Sequence, residues 1–324
     1  DHRDLHYPLR RQRQMCIRDS SGPYCTMMLA DHGAEVIKIE HPENGDLSRL
    51  GPPFTKNFSH YYVQQNIGKK CISLDLNKKE IVAKDIGLNI EDYNILEADN
   101  EEQSALAACQ LSNENKTRII IKGNLHTDIL MRSYLKKEFN LLEGKRLSHI
   151  WHMTTPQLKK PLFITDGALN VLPRIDIKLQ ILKNAVHFYN KLVSKKPRVA
   201  ILSGTEDPID SMPSSIEAKK VMDLSLKEEI NAFVHGPLAF DNAISEEAAK
   251  IKKIENEVAG NADILLVPNL ETGNSLSKIM VYFMNACAAG IVIGGKVPVV
   301  VPSRADSKNS KLASIMAAIV AVKN

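Results

Sequence analysis

The residues best suited to chemistry follow an apolar run late in the chain, in VPVVVPSRADSKNS. Ser303 and Arg304 come directly after the run, and Asp306 follows them where an apolar helix is predicted to begin. A hydroxyl, a guanidinium and a carboxylate at a helix start can hold an oxyanion and accept a proton. The structural alternative remains open, because Asp and Ser are also common N-cap residues of helices.

A second polar loop follows the apolar run RIIIKG. Thr127 and Asp128 open a predicted helix that carries Arg132. A helix N-terminus, a hydroxyl and a guanidinium together suit a phosphate. On spacing alone the structural alternative is favoured, in which Thr127 or Asp128 caps the helix and Arg132 is a solvated surface residue.

A third polar loop, PNLETGN, lies between the apolar run ADILLVP and a helical pattern. Gly273 would let the backbone approach a ligand closely, and amides at a helix start suit a phosphate or carbonyl oxygen. Apolar residues follow at helical spacing. We expect these to be core residues and not a cofactor site: Leu276, Ile279, Met280, Phe283, Met284 and Cys287.

Short apolar runs alternating with helical patterns predict the elements that carry these loops. Such alternation indicates an α/β fold with a largely parallel sheet, whose ligands bind beyond the carboxyl ends of the strands. No GxGxxG follows a strand, which argues against a dinucleotide-dependent dehydrogenase. The predicted strands are RIIIKG, HIWHM, PLFITD, RVAILS, INAFVHG, ADILLVP, GIVIGG and VPVVVPS.

Composition excludes several classes of protein. The 324 residues carry a net charge of only +4, and much of the excess precedes residue 15, so we expect no nucleic-acid partner. No run of 18 apolar residues occurs, and we expect no membrane association. The five cysteines are scattered without a CxxC pair, which predicts a cytoplasmic protein without a disulfide or metal site.

The chain changes character twice before residue 81. MCIRDS resembles the translation of a transposon-end sequencing adapter, so we expect residues 1–20 to be non-native and disordered. Residues 21–80, with GPYCTMMLADHGAEVIKIEHPENGD and YYVQQNIGKKCISLDLNKKE, resemble the opening of a family III CoA-transferase. That resemblance places Asn66 and Lys69 in a stretch that lines the CoA site, but the family's catalytic aspartate has no counterpart here.

Residues 81–324 resemble the phosphate acetyl/butyryltransferases, through GKRLSHIWHM, PLFITDGALNVLP, GPLAFDNAIS, VAGNADILLVPNLETGN and VPSRADS in that order. The resemblance implies two α/β subdomains with largely parallel sheets, like those of isocitrate and isopropylmalate dehydrogenases, and an active site in the interdomain cleft. The family's first strand–helix unit is missing, because the CoA-transferase-like stretch occupies its place. The implied reaction is reversible acyl transfer between CoA and inorganic phosphate.

The same resemblance implies roles for individual residues. Ser303 and Arg304 match the family's active-site pair, and Asp306 is the expected base, although the acetyl branch places its base several residues after that pair. Arg132 matches a phosphate-side arginine, and Asp241 matches the aspartate of GPLxxD. The expected substrate-binding residues are Thr127, Arg132, Asp241, Asn269, Gly273 and Asn274.

The expected mechanism is direct attack in a ternary complex of acyl-CoA and phosphate, without an acyl-enzyme or a tightly bound cofactor. The resemblance implies a homodimer. The motif GPLAFDNAIS resembles that of family members fused to an enoyl-CoA hydratase domain, which implies that such a domain has been lost. The alternative is a non-functional chimera or a fragment of a family III CoA-transferase. We favour the phosphotransacylase, because its resemblance covers far more of the chain than the stretch before residue 81.

Overall fold

A computed structural model describes residues 98–142, 144–303 and 306–322, with shorter stretches at 27–28, 31, 37–40, 46–50, 52–55, 58–67, 69–73, 94 and 96. The segment predicted to be non-native, 1–20, lies outside the described residues. The chain divides into two compact units, Asp1–Ile95 and Leu96–Asn324. The division therefore falls after the change of sequence character predicted at residue 80.

The first unit contains short elements. Among its described residues are the strands β1 (Ile37–Glu40), β2 (Phe54–Thr55), β3 (Phe58–Ser59) and β4 (Lys70–Ser73) and the helix α1 (His60–Asn66). β1 pairs with β4 in parallel, and β2 pairs with β3 antiparallel. The ammonium of Lys69 donates to Oδ1 of Asn66 at 3.2 Å, so the two residues that the CoA-transferase resemblance singles out contact each other.

The second unit is built on one eight-stranded sheet, and all eight predicted strands are present in it. Its spatial order is β5-β12-β11-β6-β7-β10-β8-β9. In chain order the strands are β5 (Ile120–Ile121), β6 (Ser148–Thr154), β7 (Leu162–Thr165), β8 (Arg198–Leu202), β9 (Phe233–Leu238), β10 (Ile264–Leu266), β11 (Cys287–Ile293) and β12 (Val299–Val300).

Two parallel groups of strands are joined by an antiparallel centre. β5 pairs with β12 in parallel at one edge, and β7, β10, β8 and β9 pair in parallel at the other. β11 and β6 lie between these groups and run antiparallel to their neighbours. The predicted α/β class is confirmed, and β6 and β11 form the junction on which the site described below is built.

Helices cover this sheet. The helix α4 (Ile175–Leu192) buries side chains at helical spacing, among them Leu182 and Val186, against Ile150 of β6 and Ile291 of β11. No helix in the described part of the chain is long and apolar enough to cross a bilayer. The helices are α2 (Glu101–Asn113), α3 (Thr127–Tyr134), α4 (Ile175–Leu192), α5 (Pro213–Lys227), α6 (Phe240–Ile244), α7 (Glu246–Ile251), α8 (Leu270–Phe283) and α9 (Lys308–Val322).

The alternation of side chains along β6 and β11 separates two faces of the sheet. Since successive residues of a strand point to opposite sides, His149 and Trp151 lie on the face opposite Ile150. Gly290 pairs with Trp151 in the β11–β6 register and lies on that same face. α4 covers the Ile150 face, and a cavity opens on the His149 face.

The core stripe predicted on α8 is partly wrong. Ile279 is 49% exposed and Phe283 is 83% exposed, and Cys287 belongs to β11 rather than to the helix. The buried residues of α8 are Gly273, Ser277 and Met280. Small residues face inward because the helix packs very closely: a Cβ on Gly273 would lie 2.7 Å from the Cα of Gly167.

Candidate functional site

A cavity of about 580 Å³ lies in the second unit, over the antiparallel centre of the sheet. We call it the Ser303 cavity. Its walls come from β6, β11, α8, α9 and the loops that follow β5, β7 and β12. The structure brings together four of the predicted site residues in its lining: Thr127, Asn274, Ser303 and Asp306.

Ser303 and Asp306 hold each other at the end of β12. The backbone N–H of Ser303 donates to Oδ2 of Asp306 at 2.7 Å, and the backbone N–H of Asp306 donates to the carbonyl oxygen of Ser303 at 3.1 Å. These reciprocal bonds keep the carboxylate at the cavity wall beside Ser303. Arg304, predicted as the partner of Ser303, lies outside the described residues.

His149 is a site residue that the sequence did not single out. Its side chain lines the Ser303 cavity, although the residue is only 2% exposed. The ring makes an edge contact with the Trp151 ring at 4.3 Å between centroids. Nδ1 is buried and has no hydrogen-bond partner among the described residues.

The environment of His149 keeps its imidazole neutral at pH 7. Burial lowers the pKa of His149 to about 4, although the negative charges of Asp166 and Asp306 act in the opposite direction. A neutral imidazole carries one N–H donor and one acceptor nitrogen. Because a buried N–H without an acceptor is rarer than an unpaired acceptor, the partnerless Nδ1 favours the tautomer with its proton on Nε2.

Nε2 of His149 lies beside Gly290 of β11, and this position requires a glycine. A Cβ added there would lie 3.0 Å from Nε2 of His149 and 2.8 Å from Nε1 of Trp151. Neither ring could keep its place if β11 carried a side chain at this point. The absence of a side chain at Gly290 therefore leaves room for both nitrogens at the cavity wall.

A buried carboxylate, Asp166, orients the strand that carries His149. Its Oδ2 accepts the backbone N–H of His149 at 3.1 Å and the side-chain amide of Asn170 at 2.6 Å. Its Oδ1 accepts the backbone N–H groups of Ala168 and Leu169, both at 3.0 Å. Asp166 is thus fully engaged in holding the loop after β7 against β6. In the sequence, Asp166 is indicated only by its position in TDGALN, where the predicted strand PLFITD ends.

Lys122 brings a positive charge into the Ser303 cavity. Its side chain is buried, and its ammonium donates to the backbone oxygens of Leu125 at 2.8 Å and of Gly123 at 3.4 Å. Both partners are neutral, so they orient the ammonium without cancelling its charge. Lys122 and Lys278 are both lining residues, and an anionic group in the cavity would meet them.

The start of α3 borders the same cavity. The N-cap residue is His126, without a side-chain cap bond, so the expected capping role of Thr127 or Asp128 is not what the structure shows. His126 is held instead by Glu101, which accepts its backbone N–H at 2.9 Å. Thr127 is the first residue of α3, where exposed amides favour negative charge.

Two predicted site residues lie away from the Ser303 cavity. The Arg132 guanidinium is 73% exposed and pairs with Asp128 at 2.8 Å. Asp241, in the first turn of α6, pairs with Lys252 at 3.3 Å. Neither residue is among those that line the cavity, and their substrate-binding roles stay predictions.

In the PNLETGN loop, one of the three predicted residues lines the cavity. Oδ1 of Asn269 accepts the backbone N–H of Thr272 at 2.9 Å and so caps α8. Gly273 packs against Gly167, as described above. Asn274 lines the cavity, and its amide donates to the carbonyl oxygen of Gly167 at 3.3 Å.

The donor set of the Ser303 cavity suits substrates carrying a carbonyl and a phosphate. It offers a hydroxyl residue, a carboxylate, a neutral imidazole and two ammonium groups. Within the described ranges, no group of three or more His, Cys, Asp or Glu residues is placed to hold a metal ion. The carboxylate can accept a proton, and the two ammonium groups can neutralise an anion.

Two family models match the chain. The phosphate acetyl/butaryl transferase model matches residues 79–321, and the CoA-transferase family III model matches residues 19–84. The phosphate acetyltransferase of Rickettsia prowazekii is 38% identical over 299 residues, which cover 91% of this chain and 83% of that protein. The phosphate butyryltransferase of Clostridium acetobutylicum is 38% identical over 242 residues, or 74% of this chain and 80% of that protein.

Solved structures with a similar fold include a branched-chain phosphotransacylase from Enterococcus faecalis V583. It has a TM-score of 0.67 and 30% identity, and the match covers 89% of this chain and 98% of that one. A phosphotransacetylase from Streptococcus pyogenes has a TM-score of 0.64 over 94% of this chain and 99% of that one. At 19% identity, the second likeness shows the fold alone.

Proposed function

Because this chain belongs to the phosphate acetyl/butaryl transferase family, we propose that it moves a short acyl group reversibly between coenzyme A and inorganic phosphate in the Ser303 cavity. One observation carries this assignment of the site. Asp306 and Ser303 lie in a cavity that also holds the neutral His149 and the buried ammonium of Lys122. A base, a carbonyl-binding donor and a phosphate-binding cation are thus available together.

The proton transfer falls to Asp306. A free thiol has a pKa of about 8.5 and is mostly protonated at neutral pH, so a nearby carboxylate assists its attack. As the CoA sulfur bonds to the carbonyl carbon of an acyl phosphate, its proton passes to the Asp306 carboxylate. The bond from carbon to the phosphate oxygen then breaks, and phosphate leaves with the electron pair. The reverse reaction uses phosphate as the nucleophile.

The carbonyl oxygen becomes negatively charged during this attack, and His149 is the group that meets it. In the tautomer that the buried Nδ1 favours, Nε2–H is a neutral donor fixed between Trp151 and Gly290. A donor that is already oriented stabilises an oxyanion without reorganising. Ser303 adds a second polar group at the same wall.

The phosphate group is attracted by Lys122 and by the start of α3 at Thr127. Arg304 and Arg132 are the cations that the family resemblance implies for this role. Asn274 lies on the opposite wall, on α8, and can donate to a substrate oxygen. Both substrates bind together, and no covalent enzyme intermediate is needed.

We propose that the protein is cytoplasmic and works as a homodimer without a tightly bound cofactor. The dimer is supported by the apolar surface on α8, where Ile279 and Phe283 are exposed. Large exposed apolar patches usually mark contact surfaces. Light scattering behind size exclusion would give a dimer mass for the wild-type chain and a monomer mass for Phe283→Asp. A monomeric wild type would contradict this part of the proposal.

The test of function is phosphate-dependent release of CoA from acetyl-CoA or butyryl-CoA, followed with a thiol reagent. We expect release that requires phosphate and falls by about a hundredfold in Asp306→Asn, because the base is removed. Lys250→Met, on the exposed side of α7, is the matched control. No phosphate-dependent release with either thioester would contradict the proposal. Transfer to formate or oxalate instead would favour the family III CoA-transferase alternative, to which residues 19–84 belong by similarity.

A further inference from the structure

A second cavity, of about 810 Å³, lies on the α4 face of the same sheet. We call it the Lys145 cavity. Its walls are the segments before β5 and β6, the turn between β11 and β12, one side of α4 and the end of α9. Its lining contains the following basic residues: Arg118, Lys145, Arg146, Lys183, His187, Lys191 and Lys296.

The charge of the Lys145 cavity is one-sided. Among the described residues that line it, none is Asp or Glu. Lys183 pairs with Glu228, which lies outside the lining. Burial and the positive charges of Lys191 and Lys145 together lower the pKa of His187. The positive charges of the cavity therefore disfavour the protonated form of His187, one of its own lining residues.

Backbone oxygens accept hydrogen bonds from three of these cations, and one of the bonds runs from Lys191 to the carbonyl oxygen of Ala321 at 2.8 Å. Arg118 donates through Nη2 to the carbonyl oxygen of Val322 at 2.7 Å, at the end of α9. Lys296 donates to the carbonyl oxygen of Asn113 at 2.9 Å, at the end of α2. A helix C-terminus carries about half an elementary negative charge, so these bonds orient the cations and leave most of their charge available to a ligand.

The turn between β11 and β12 gives the cavity a fixed wall. Gly294 has φ +96°, a conformation that favours glycine. A Cβ there would lie 2.3 Å from the carbonyl oxygen of Arg146. At Gly295 a Cβ would lie 2.3 Å from the hydroxyl of Tyr134. The turn is therefore packed tightly against its neighbours, and Lys296, which follows it, is presented from a defined backbone position.

From this geometry we propose that the Lys145 cavity binds a ligand with two or more linked phosphate groups. The number of cations exceeds what a single phosphate can neutralise, and guanidinium groups match phosphate oxygens in pairs. The volume lies in the range of small-molecule sites, which run from roughly 300 to 1,000 Å³. The site is separate from the Ser303 cavity, because the two open on opposite faces of β6 and β11.

Calorimetric titration of the full chain tests this site, with inorganic triphosphate as the probe and orthophosphate as the comparison. We expect triphosphate to bind at least about tenfold more tightly than orthophosphate, and its affinity to fall with added salt. Lys145→Glu should weaken triphosphate binding about tenfold or more, since it replaces an attraction by a repulsion. Lys250→Glu, an equal change of charge outside the cavity, should leave it within about twofold.

Three results would overturn the proposal. The first is that triphosphate binds no better than orthophosphate. The second is that Lys250→Glu weakens triphosphate binding as much as Lys145→Glu does. The third is that Lys145→Glu binds triphosphate as tightly as the wild type and that acetyl phosphate displaces the bound triphosphate. The last result would place triphosphate in the Ser303 cavity. Parallel titrations with ADP and ATP identify the source of the linked phosphates, because only a nucleotide that gains contacts beyond its phosphates exceeds triphosphate in affinity.

Discussion

The two cavities lie on opposite faces of one sheet and differ in the charges of their lining residues. On one face of β6 and β11, the Ser303 cavity combines the ammonium groups of Lys122 and Lys278 with Asp306 and a neutral imidazole. On the other face, the Lys145 cavity gathers cations without an acidic lining residue among those described. A cavity of mixed charge can accept a proton on its carboxylate while it holds an anion, whereas a cavity that gathers cations is suited to binding an anion. The difference distinguishes the site proposed for catalysis from the site proposed for recognition.

The largest expected effect tests whether only one face of β6 serves the reaction, since His149 and His152 lie on opposite faces of that strand. His149→Ala should lower kcat about a hundredfold with little change in KM, because the donor to the developing oxyanion is lost. His149→Gln should recover part of the rate, since its amide nitrogen can reach the position of Nε2. The measurement is initial rates of thiol release over a range of thioester concentrations.

His152 supplies the matched control for that experiment. Its ring packs against Phe163 at 4.9 Å between centroids, on the other side of the strand. His152→Gln disturbs the same strand without touching the Ser303 cavity, so its kcat should stay within about threefold of wild type. An equal loss of kcat in both variants would show that any substitution in β6 disturbs activity, and it would contradict a specific role for His149.

The second prediction concerns the neutral state of His149, which Asp166 and Asp306 face. The pKa of His149 is about 4 in the folded chain and 6.5 for an ordinary histidine, so the folded chain binds fewer protons than the unfolded chain between these pH values. The free energy of unfolding therefore falls as the pH drops from 6.5 towards 4, by on the order of 3 kcal/mol from this group. Urea unfolding of wild type and His149→Gln at pH 7 and pH 4.5 measures the difference. Equal losses in both proteins would contradict a buried neutral His149.

The third prediction compares Lys122 with Arg132 as the cation for phosphate. Lys122 is buried in the Ser303 cavity, whereas Arg132 is exposed and pairs with Asp128. We expect Lys122→Met to raise the KM for phosphate about tenfold with the thioester KM unchanged. Arg132→Met should change the KM for phosphate by less than about threefold. The reverse order would restore the role that the family resemblance implies for Arg132.

The strands and several site residues could be predicted because their signals are local. Apolar runs bounded by polar loops identify strands wherever they pair, and all eight predicted strands occur in the sheet. Thr127, Asn274, Ser303 and Asp306 follow strand ends, where loops of α/β sheets meet ligands. These four residues line one cavity as a result of that rule.

His149 and Lys122 could not be found in this way. His149 lies inside the apolar run HIWHM and reads as a core residue. The room for its ring at the cavity wall depends on Gly290, which lies on a strand far along the chain and pairs with Trp151. Lys122 is predicted as the polar end of a strand, and only the fold shows that its side chain is buried. The α8 stripe was mispredicted for the same reason, since the glycine contact with Gly167 decides which side faces inward.

The smallest expected effect concerns communication between the two cavities, for which the structure supplies a chain of hydrogen bonds. Arg146, in the lining of the Lys145 cavity, donates through Nε to Oδ1 of Asn170 at 2.9 Å. Asn170 donates to Asp166 at 2.6 Å, and Asp166 accepts the backbone N–H of His149 at 3.1 Å. A polyphosphate that draws Arg146 away from Asn170 would weaken the support of the strand that carries His149.

We therefore expect saturating triphosphate to lower kcat by about twofold to fivefold in the wild type, which is at or below the low end of the usual coupling between sites. Arg146→Met should still bind triphosphate through the remaining cations, but its kcat should no longer respond. Lys183→Met is the control, because it weakens binding and leaves the hydrogen-bond chain intact. If kcat in Arg146→Met still responded to saturating triphosphate, the coupling would have to run through another part of the sheet, such as β11, which contributes residues to both cavities.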